Sequence, residues 1–190
     1  MLCHLIIINL KNMIHYHTLK ENVLTKYKNE YFFETGTYLG DSVNLALKVG
    51  FNKIFSIEID ENLQTKNFEK FNEEITKGII ELVIGDTSIV MEQIVSKLDK
   101  KTTFWLDAHV DLGMSGVKKC PIYDELEFIS KSEIKNHTIL IDDLRCFGNG
   151  LWGDGINLDT IKNKIKKINP DYKFSLEDGH IPKDILVAYI

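Results

Sequence analysis

The residues of this 190-residue chain that can do chemistry gather where its apolar runs end. Glu34 closes the first run, YFFET, and stands just ahead of two glycines, Gly36 and Gly40, in FFETGTYLGDS. A glycine turn between an apolar run and a helical pattern cradles ligands, and the acid indicates which kind. A pyrophosphate asks for G-x-G-x-x-G, so that backbone N–H groups and a helix N-terminus can meet it. Here the spacing is E-x-G-x-x-x-G, and a carboxylate at the mouth of the turn repels phosphate but pairs with an ammonium. Eighteen residues after Gly40 the second run ends in SIEID, which places Glu58 to accept hydrogen bonds from two ribose hydroxyls. The third run ends in GDTS, with Asp86 placed to contact an adenine amino group. An amine and a ribose on one ligand describe S-adenosylmethionine. The alternative is that Glu34, Glu58 and Asp86 only cap helices, since acids favour helix N-termini.

A second acidic group follows. The fourth run ends in FWLDAHVD and the fifth in LIDDLR, which carry Asp107, Asp142 and Asp143. Neighbouring strands lie about 4.8 Å apart, so acids at their carboxyl ends can converge. Three such carboxylates make an all-oxygen donor set suited to a hard cation such as Mg²⁺ or Ca²⁺. Left alone they repel one another, and a divalent cation relieves this. Closing a buried strand with two aspartates is costly unless something binds there. Capping of a turn or helix by Asp107 or Asp143 is again the alternative.

What must position these residues is an alternation of strand-length runs with helical patterns. Strands are expected at 31–35, 53–59, 79–85, 102–108, 137–143, 172–178 and 184–190. Between them, 40–50, 61–78, 87–101, 121–135 and 156–168 carry apolar residues three and four apart. Pro121 suits a helix first turn, and Gly50 and Gly78 suit helix ends. Runs that are apolar throughout, alternating with helices, imply an α/β fold with a doubly wound, mostly parallel sheet. The last two strands are joined only through GHIPK, too short for a crossover helix, so they form an antiparallel C-terminal hairpin at one edge. In such a sheet ligands bind beyond the carboxyl ends of the strands, beside the first strand, where Glu34 to Gly40 falls. The expected organisation is an N-terminal segment, 1–30, as a short helix or lid element, followed by a single domain, 31–190.

Composition narrows the partners. With 44% hydrophobic and 27% charged residues the chain suits one full-sized core. A net charge of −5 provides no basic field to recruit nucleic acid. KNKIKK, 162–167, has the spacing of a solvated helix face. Cys3, Cys120 and Cys146 show no metal or redox spacing, so free thiols in a reducing, cytoplasmic setting are expected. MLCHLIIINLKN is apolar but too short to span a bilayer, and it lacks a basic start and a cleavage site. Neither a signal peptide nor a membrane anchor is expected. His15 and His17, in IHYH, are read as surface or packing residues.

Glu34, Gly36 and Gly40, with Glu58 and Asp86, resemble the cofactor motifs of class I S-adenosylmethionine-dependent methyltransferases, from about Tyr31 onward. The resemblance implies that Glu34 meets the methionine amine and that Gly36 and Gly40 pass under the methionine and ribose. Glu58 then holds the ribose, and Thr37, Asp41, Ser42, Asp86 and Thr87 complete the cofactor site. Within that class, Asp107, Asp142 and Asp143 resemble the metal ligands of metal-dependent O-methyltransferases acting on catechols and on macrolide or aminocoumarin sugars. This implies Mg²⁺ or another hard divalent cation gripping neighbouring hydroxyls of a small-molecule or glycan acceptor. Those sugar enzymes carry a further acid two residues after the first aspartate. Here that position is His109, which at an ordinary pKa near 6.5 can serve as general base beside Asp107. The loops 110–120 and 146–155 follow the metal strands, and Lys118, Phe147 and Trp152 can line an acceptor pocket. Trp152 either stacks on a sugar or plugs a core. About thirty residues precede the first strand, fewer than the lid the resemblance implies, which leaves the substrate and a homo-oligomer contact open. Two rivals stand: a metal-free methyltransferase using His109, and a noncatalytic binding subunit of the same fold.

Overall fold

The computed structural model describes residues 18–109, 120–148 and 156–190. The expectations that fall on Cys3, His15, His17, LIIINL, Lys118 and Trp152 lie outside these. Seven strands form one sheet: β1 (Tyr31–Thr35), β2 (Lys53–Glu58), β3 (Ile80–Ile84), β4 (Thr102–Leu106), β5 (Thr138–Ile141), β6 (Lys173–Glu177) and β7 (Ile185–Tyr189). Their order is β3-β2-β1-β4-β5-β7-β6. Neighbours among β1 to β5 are parallel, and β7 runs antiparallel to both β5 and β6. The doubly wound sheet and its hairpin are as the sequence led one to expect. β1 matches its expected run and the other six strands are shorter than theirs, which leaves Asp107, Asp142 and Asp143 just beyond the strand ends.

The helices are α1 (Glu21–Lys26), α2 (Asp41–Val49), α3 (Glu61–Lys70), α4 (Asn72–Thr76), α5 (Thr87–Val95), α6 (Ile122–Lys131) and α7 (Leu158–Ile168). They cover both faces of the sheet, so the central strands have no exposed side and read as nearly unbroken apolar runs. Phe33, Phe104, Leu106, Ile139 and Ile141 face Met91 of α5, Leu126 of α6 and Ile161 of α7. On the other face, Phe32, Ile54, Trp105 and Leu140 meet Val23 and Leu24 of α1, Val43 and Ala46 of α2, and Phe71. Residues 19–27, expected to belong to a separate N-terminal segment, thus supply part of the core. Edge strand β3 mixes buried and exposed positions, and edge strand β6 has no fully buried residue. On α7 the lysines of KNKIKK flank buried Ile161 and Ile165 and stay on the outer side. Cys120 and Cys146 are both buried. No described helix is long and apolar enough to cross a membrane.

The pattern at 61–78 is two helices rather than one. Phe71 breaks the helix at φ −108° and ψ 21° and turns its ring into the core, 2% exposed. Burial of an aromatic ring outweighs the few backbone hydrogen bonds that a continuous helix would add. Pro121 caps α6 from just outside, and Gly50 ends α2 in the left-handed conformation.

Glu125, in the first turn of α6, is fully buried, and neither carboxylate oxygen has a hydrogen-bond partner. Burial pushes its carboxyl from the ordinary 4.5 up to about 7, and the hydroxyls of Thr35 and Thr87 oppose only part of this. The folded state therefore holds a proton that the unfolded chain gives up near 4.5. The stability this contributes is full below 4.5 and is lost as pH rises towards 7. Glu125→Gln keeps the shape without the titration. Urea denaturation at pH 5 and pH 8 is expected to show the variant gaining on the order of 2–3 kcal/mol over the native chain at the higher pH. Equal pH dependence in the two proteins would show that Glu125 is not the buried acid it is taken for.

Candidate active site

Sheet register builds the site. Thr35 of β1 pairs with Leu106 of β4, and Leu106 pairs with Ile141 of β5. The next residue on each strand is Gly36, Asp107 and Asp142, so these three stand side by side. The ladder runs on past the strand ends, as Asp107 N donates to Thr35 O (3.2 Å) and Asp142 N to Leu106 O (3.2 Å). Gly36 has φ +88°, and a Cβ there would meet the Asp107 carbonyl oxygen at 2.7 Å. Only glycine allows that approach. Gly40 is equally confined. At φ +75° it caps α2, and a Cβ would meet Asn67 Oδ1 and the Phe71 ring at 2.7 Å.

The turn is tied down by acids. Glu34 Oε1 accepts from Ser56 Oγ (2.6 Å), which also bonds Thr37 Oγ1 (2.5 Å). Glu34 Oε2 is buried without a partner. Burial pushes this carboxyl up to about 8, with the hydroxyls of Ser56 and Ser42 pulling the other way. Glu58 accepts backbone N–H groups from Tyr38 (2.8 Å) and Asp60 (2.9 Å), fastening the turn to the end of β2. The capping alternative holds for Asp86, which caps α5 by accepting from Ser88 N (2.8 Å) and Ser88 Oγ (2.7 Å). It fails for Glu34 and Glu58, because α2 is capped by Gly40 and α3 by Asp60. Thr87 opens α5 and is buried.

A cavity of about 130 Å³ joins the turn to the second acidic group. Gly36, Thr37, Asp41 and Ser42 line it together with Asp107, Asp142 and Asp143. Drug-sized ligands occupy roughly 300–1,000 Å³, so this cavity holds only part of a nucleoside-sized molecule. Asp142 is 1% exposed; its Oδ2 accepts from Thr18 Oγ1 (2.5 Å) and its Oδ1 has no partner. Burial, followed by the charge of Asp143, pushes Asp142 up to about 7. Burial and the charges of Asp142 and Asp143 also raise Asp107 well above its ordinary value. Asp143 sits at φ +61°, a left-handed backbone that aspartate tolerates better than most residues. Its carboxyl is raised by burial, against the pull of Arg145.

Among the described residues, two sets of side chains have ligand atoms within 4.8 Å of one another: Asp107, His109 and Asp143, and Asp142, Asp143 and Asp184. Neither is the predicted trio, though the trio lines one cavity. The donors are chemically right for a hard cation, and the unpartnered Asp142 oxygen leaves room for one more bond. Part of the repulsion is already relieved within the chain, because Arg145 Nη1 pairs with both Asp143 and Asp184. His109 departs from expectation. Its side chain is 1% exposed, its ring meets that of Phe147 edge-on at 5.7 Å, and its Nδ1 is 3.9 Å from Asp107 Oδ1. Burial and then Arg145 hold the imidazole neutral, with its pKa down at about 3, so it is a poor proton acceptor at neutral pH. Asp107, with 32% of its side chain exposed, is the more accessible of the pair.

Sequence reasoning missed Thr18 and His180, which also line the cavity, and Asp184 and Arg145. Arg145 stood in plain view in LIDDLR. Asp184 had been read as the start of a strand, and nothing in the spacing ties it to residues forty positions earlier.

No protein-family model and no curated protein sequence matches the chain. Solved structures do. An O-methyltransferase of tomaymycin synthesis from Streptomyces achromogenes, in complex with S-adenosylmethionine, has a TM-score of 0.57 at 10% identity, over 90% of this chain and 77% of its own. A Staphylococcus aureus protein provisionally assigned as a caffeoyl-CoA O-methyltransferase has a TM-score of 0.61 at 12% identity, over 99% and 90%. A methyltransferase from Podospora anserina bound to S-adenosylhomocysteine has 0.59 at 13% identity, over 89% and 75%. The fold is therefore the Rossmann-like fold of the class I S-adenosylmethionine methyltransferases.

Gly36→Ala tests the close approach on which the site is built. The left-handed backbone and the contact with Asp107 O together are expected to cost about 2–4 kcal/mol in urea denaturation. A loss under about 0.5 kcal/mol would mean that the turn and the end of β4 can separate freely.

Proposed function

We propose that the protein is an S-adenosylmethionine-dependent methyltransferase that methylates a hydroxyl of a sugar or other small polyhydroxylated acceptor with the help of a divalent cation. The observation that carries this is the single cavity lined both by the glycine turn after β1 and by Asp107, Asp142 and Asp143. The likeness in fold to O-methyltransferases supports the reaction class.

Bound there, S-adenosylmethionine supplies an electrophilic methyl group, and the cation supplies Lewis-acid polarisation of the acceptor oxygen. Glu34 takes the ammonium on its unpartnered Oε2. The backbone from Gly36 to Gly40 passes under the methionine and ribose, with Thr37, Asp41 and Ser42 along it. Glu58 orients the ribose with acceptor capacity left over from its two backbone N–H groups, and Asp86 and Thr87 stand at the adenine end. Asp142 and Asp143 hold the cation. Asp107, which lines the same cavity, would help to hold the cation and would take the proton of the acceptor hydroxyl. This role is assigned to Asp107 rather than His109, because a base must reach the proton it removes. Methyl transfer is an in-line displacement, so most of the protein's contribution is alignment. Metal-free transfer is the second reading, favoured by the Arg145 pairing with Asp143 and Asp184.

Calorimetry is expected to show S-adenosylmethionine binding at micromolar strength without competition from NAD(H). Because Glu34 is protonated below about 8 and an ammonium favours its ionised form, binding between roughly pH 5 and 8 releases up to one proton and tightens as pH rises. Glu34→Gln is expected to weaken binding by about 1.5–3 kcal/mol while stabilising the free protein. Undiminished binding in that variant, with the same proton release, would end the assignment of Glu34.

The cation is tested separately. Methyl transfer is expected to stop in EDTA and return with Mg²⁺ or Mn²⁺, while cofactor binding changes little. Asp107→Asn is expected to lower the rate by roughly 10²–10⁴. Equal turnover with and without EDTA would leave the metal-free reading in place.

A further inference from the structure

We propose that Arg145 is the chain's own counter-cation for the acidic site: it holds Asp143 when no metal is bound, yields it to a divalent cation, and so sets the metal affinity. This rests on the metal reading of the same cavity.

Four carboxylates crowd this end of the sheet, and Asp143 belongs to both sets that can surround a cation. The cluster is more than a group of surface acids, because Asp142 is 1% exposed and presents a buried Oδ1 without a partner at the cavity. The same guanidinium nitrogen of Arg145 pairs with Asp143 Oδ1 and with Asp184 Oδ2. A divalent cation that takes Asp143 therefore competes with Arg145 for one carboxylate.

The two halves of that bridge are unequally anchored. Asp184 is fully buried and also accepts the Arg145 backbone N–H at Oδ1 (3.0 Å), and its carbonyl accepts Leu144 N (3.0 Å). Asp143 holds the guanidinium by its side chain alone, and that side chain is 17% exposed. When a cation competes, the Asp143 contact gives way and Arg145 stays on Asp184. The arginine is thereby parked beside the site rather than expelled into water, and the exchange is reversible.

The test is calorimetry of Mg²⁺ and Mn²⁺ alone with the EDTA-treated full chain, native against Arg145→Met and Arg145→Lys. Methionine keeps much of the stem and removes the charge. Arg145→Met is expected to bind the cation on the order of tenfold tighter, and Arg145→Lys to stay near the native affinity. If Arg145→Met does not fold, Arg145→Gln carries the same comparison. A native protein that binds no metal beside an Arg145→Met variant that does would support the proposal while overturning metal-assisted transfer in the native chain. Native binding with no tightening in Arg145→Met would overturn the proposal and leave the metal reading standing. No binding by either protein would overturn both.

Discussion

The close approach of the Gly36 backbone to that of Asp107 is the contact on which the rest of this site depends. A Cβ at 36 would lie 2.7 Å from a carbonyl oxygen, so the turn after β1 can lean on the end of β4 only because that side chain is missing. The parallel register then continues one step past the last ladder pairs, and Gly36, Asp107 and Asp142 come into line. A wider separation would place the turn and the aspartates in different clefts. The cavity exists because backbone sterics allow three strand ends to meet.

Those strand ends carry more acid than a protein interior tolerates without help, and the chain offsets it unevenly. Glu58 is satisfied by two backbone N–H groups, and Asp184 by Arg145 and the turn after β5. Glu34 and Asp142 are each left with one oxygen that no described residue bonds. Buried unpaired polar atoms are expensive, so they mark the places where an outside partner returns the most free energy. One stands by the glycine turn and the other by the aspartates.

The strands and their alternation with helices were legible because burial on both faces makes β1, β2, β4, β5 and β7 read as continuous apolar runs, and the five-residue GHIPK allowed only a hairpin, but the order in which the strands lie in the sheet was not. The split at Phe71 was not legible, since helical spacing continues on both sides of a ring that turns inward. Glu34 and the three aspartates announced themselves as polar residues ending apolar runs, and Gly36 as a glycine just after one. What spacing could not reveal was how deeply each was buried. His109 looked like a titrating base and is a neutral side chain packed on Phe147. One of the two ion pairs of Arg145 is made to Asp184, brought in by a strand that pairs with β5 as well as with its sequence neighbour β6.

That strand has a consequence for assembly. β7 is the last strand in sequence yet lies inside the sheet, between β5 and β6. During synthesis β1 to β5 can pair as they emerge, but β5 keeps an open edge until β7 arrives, and β6 has no neighbour to join before then. Asp184, next to β7, brings with it the acceptor that pins Leu144 and Arg145. The Arg145 end of the acidic site therefore takes shape only once β7 has paired. Until that step the nascent sheet exposes a parallel edge strand, the kind of surface that other chains can pair with.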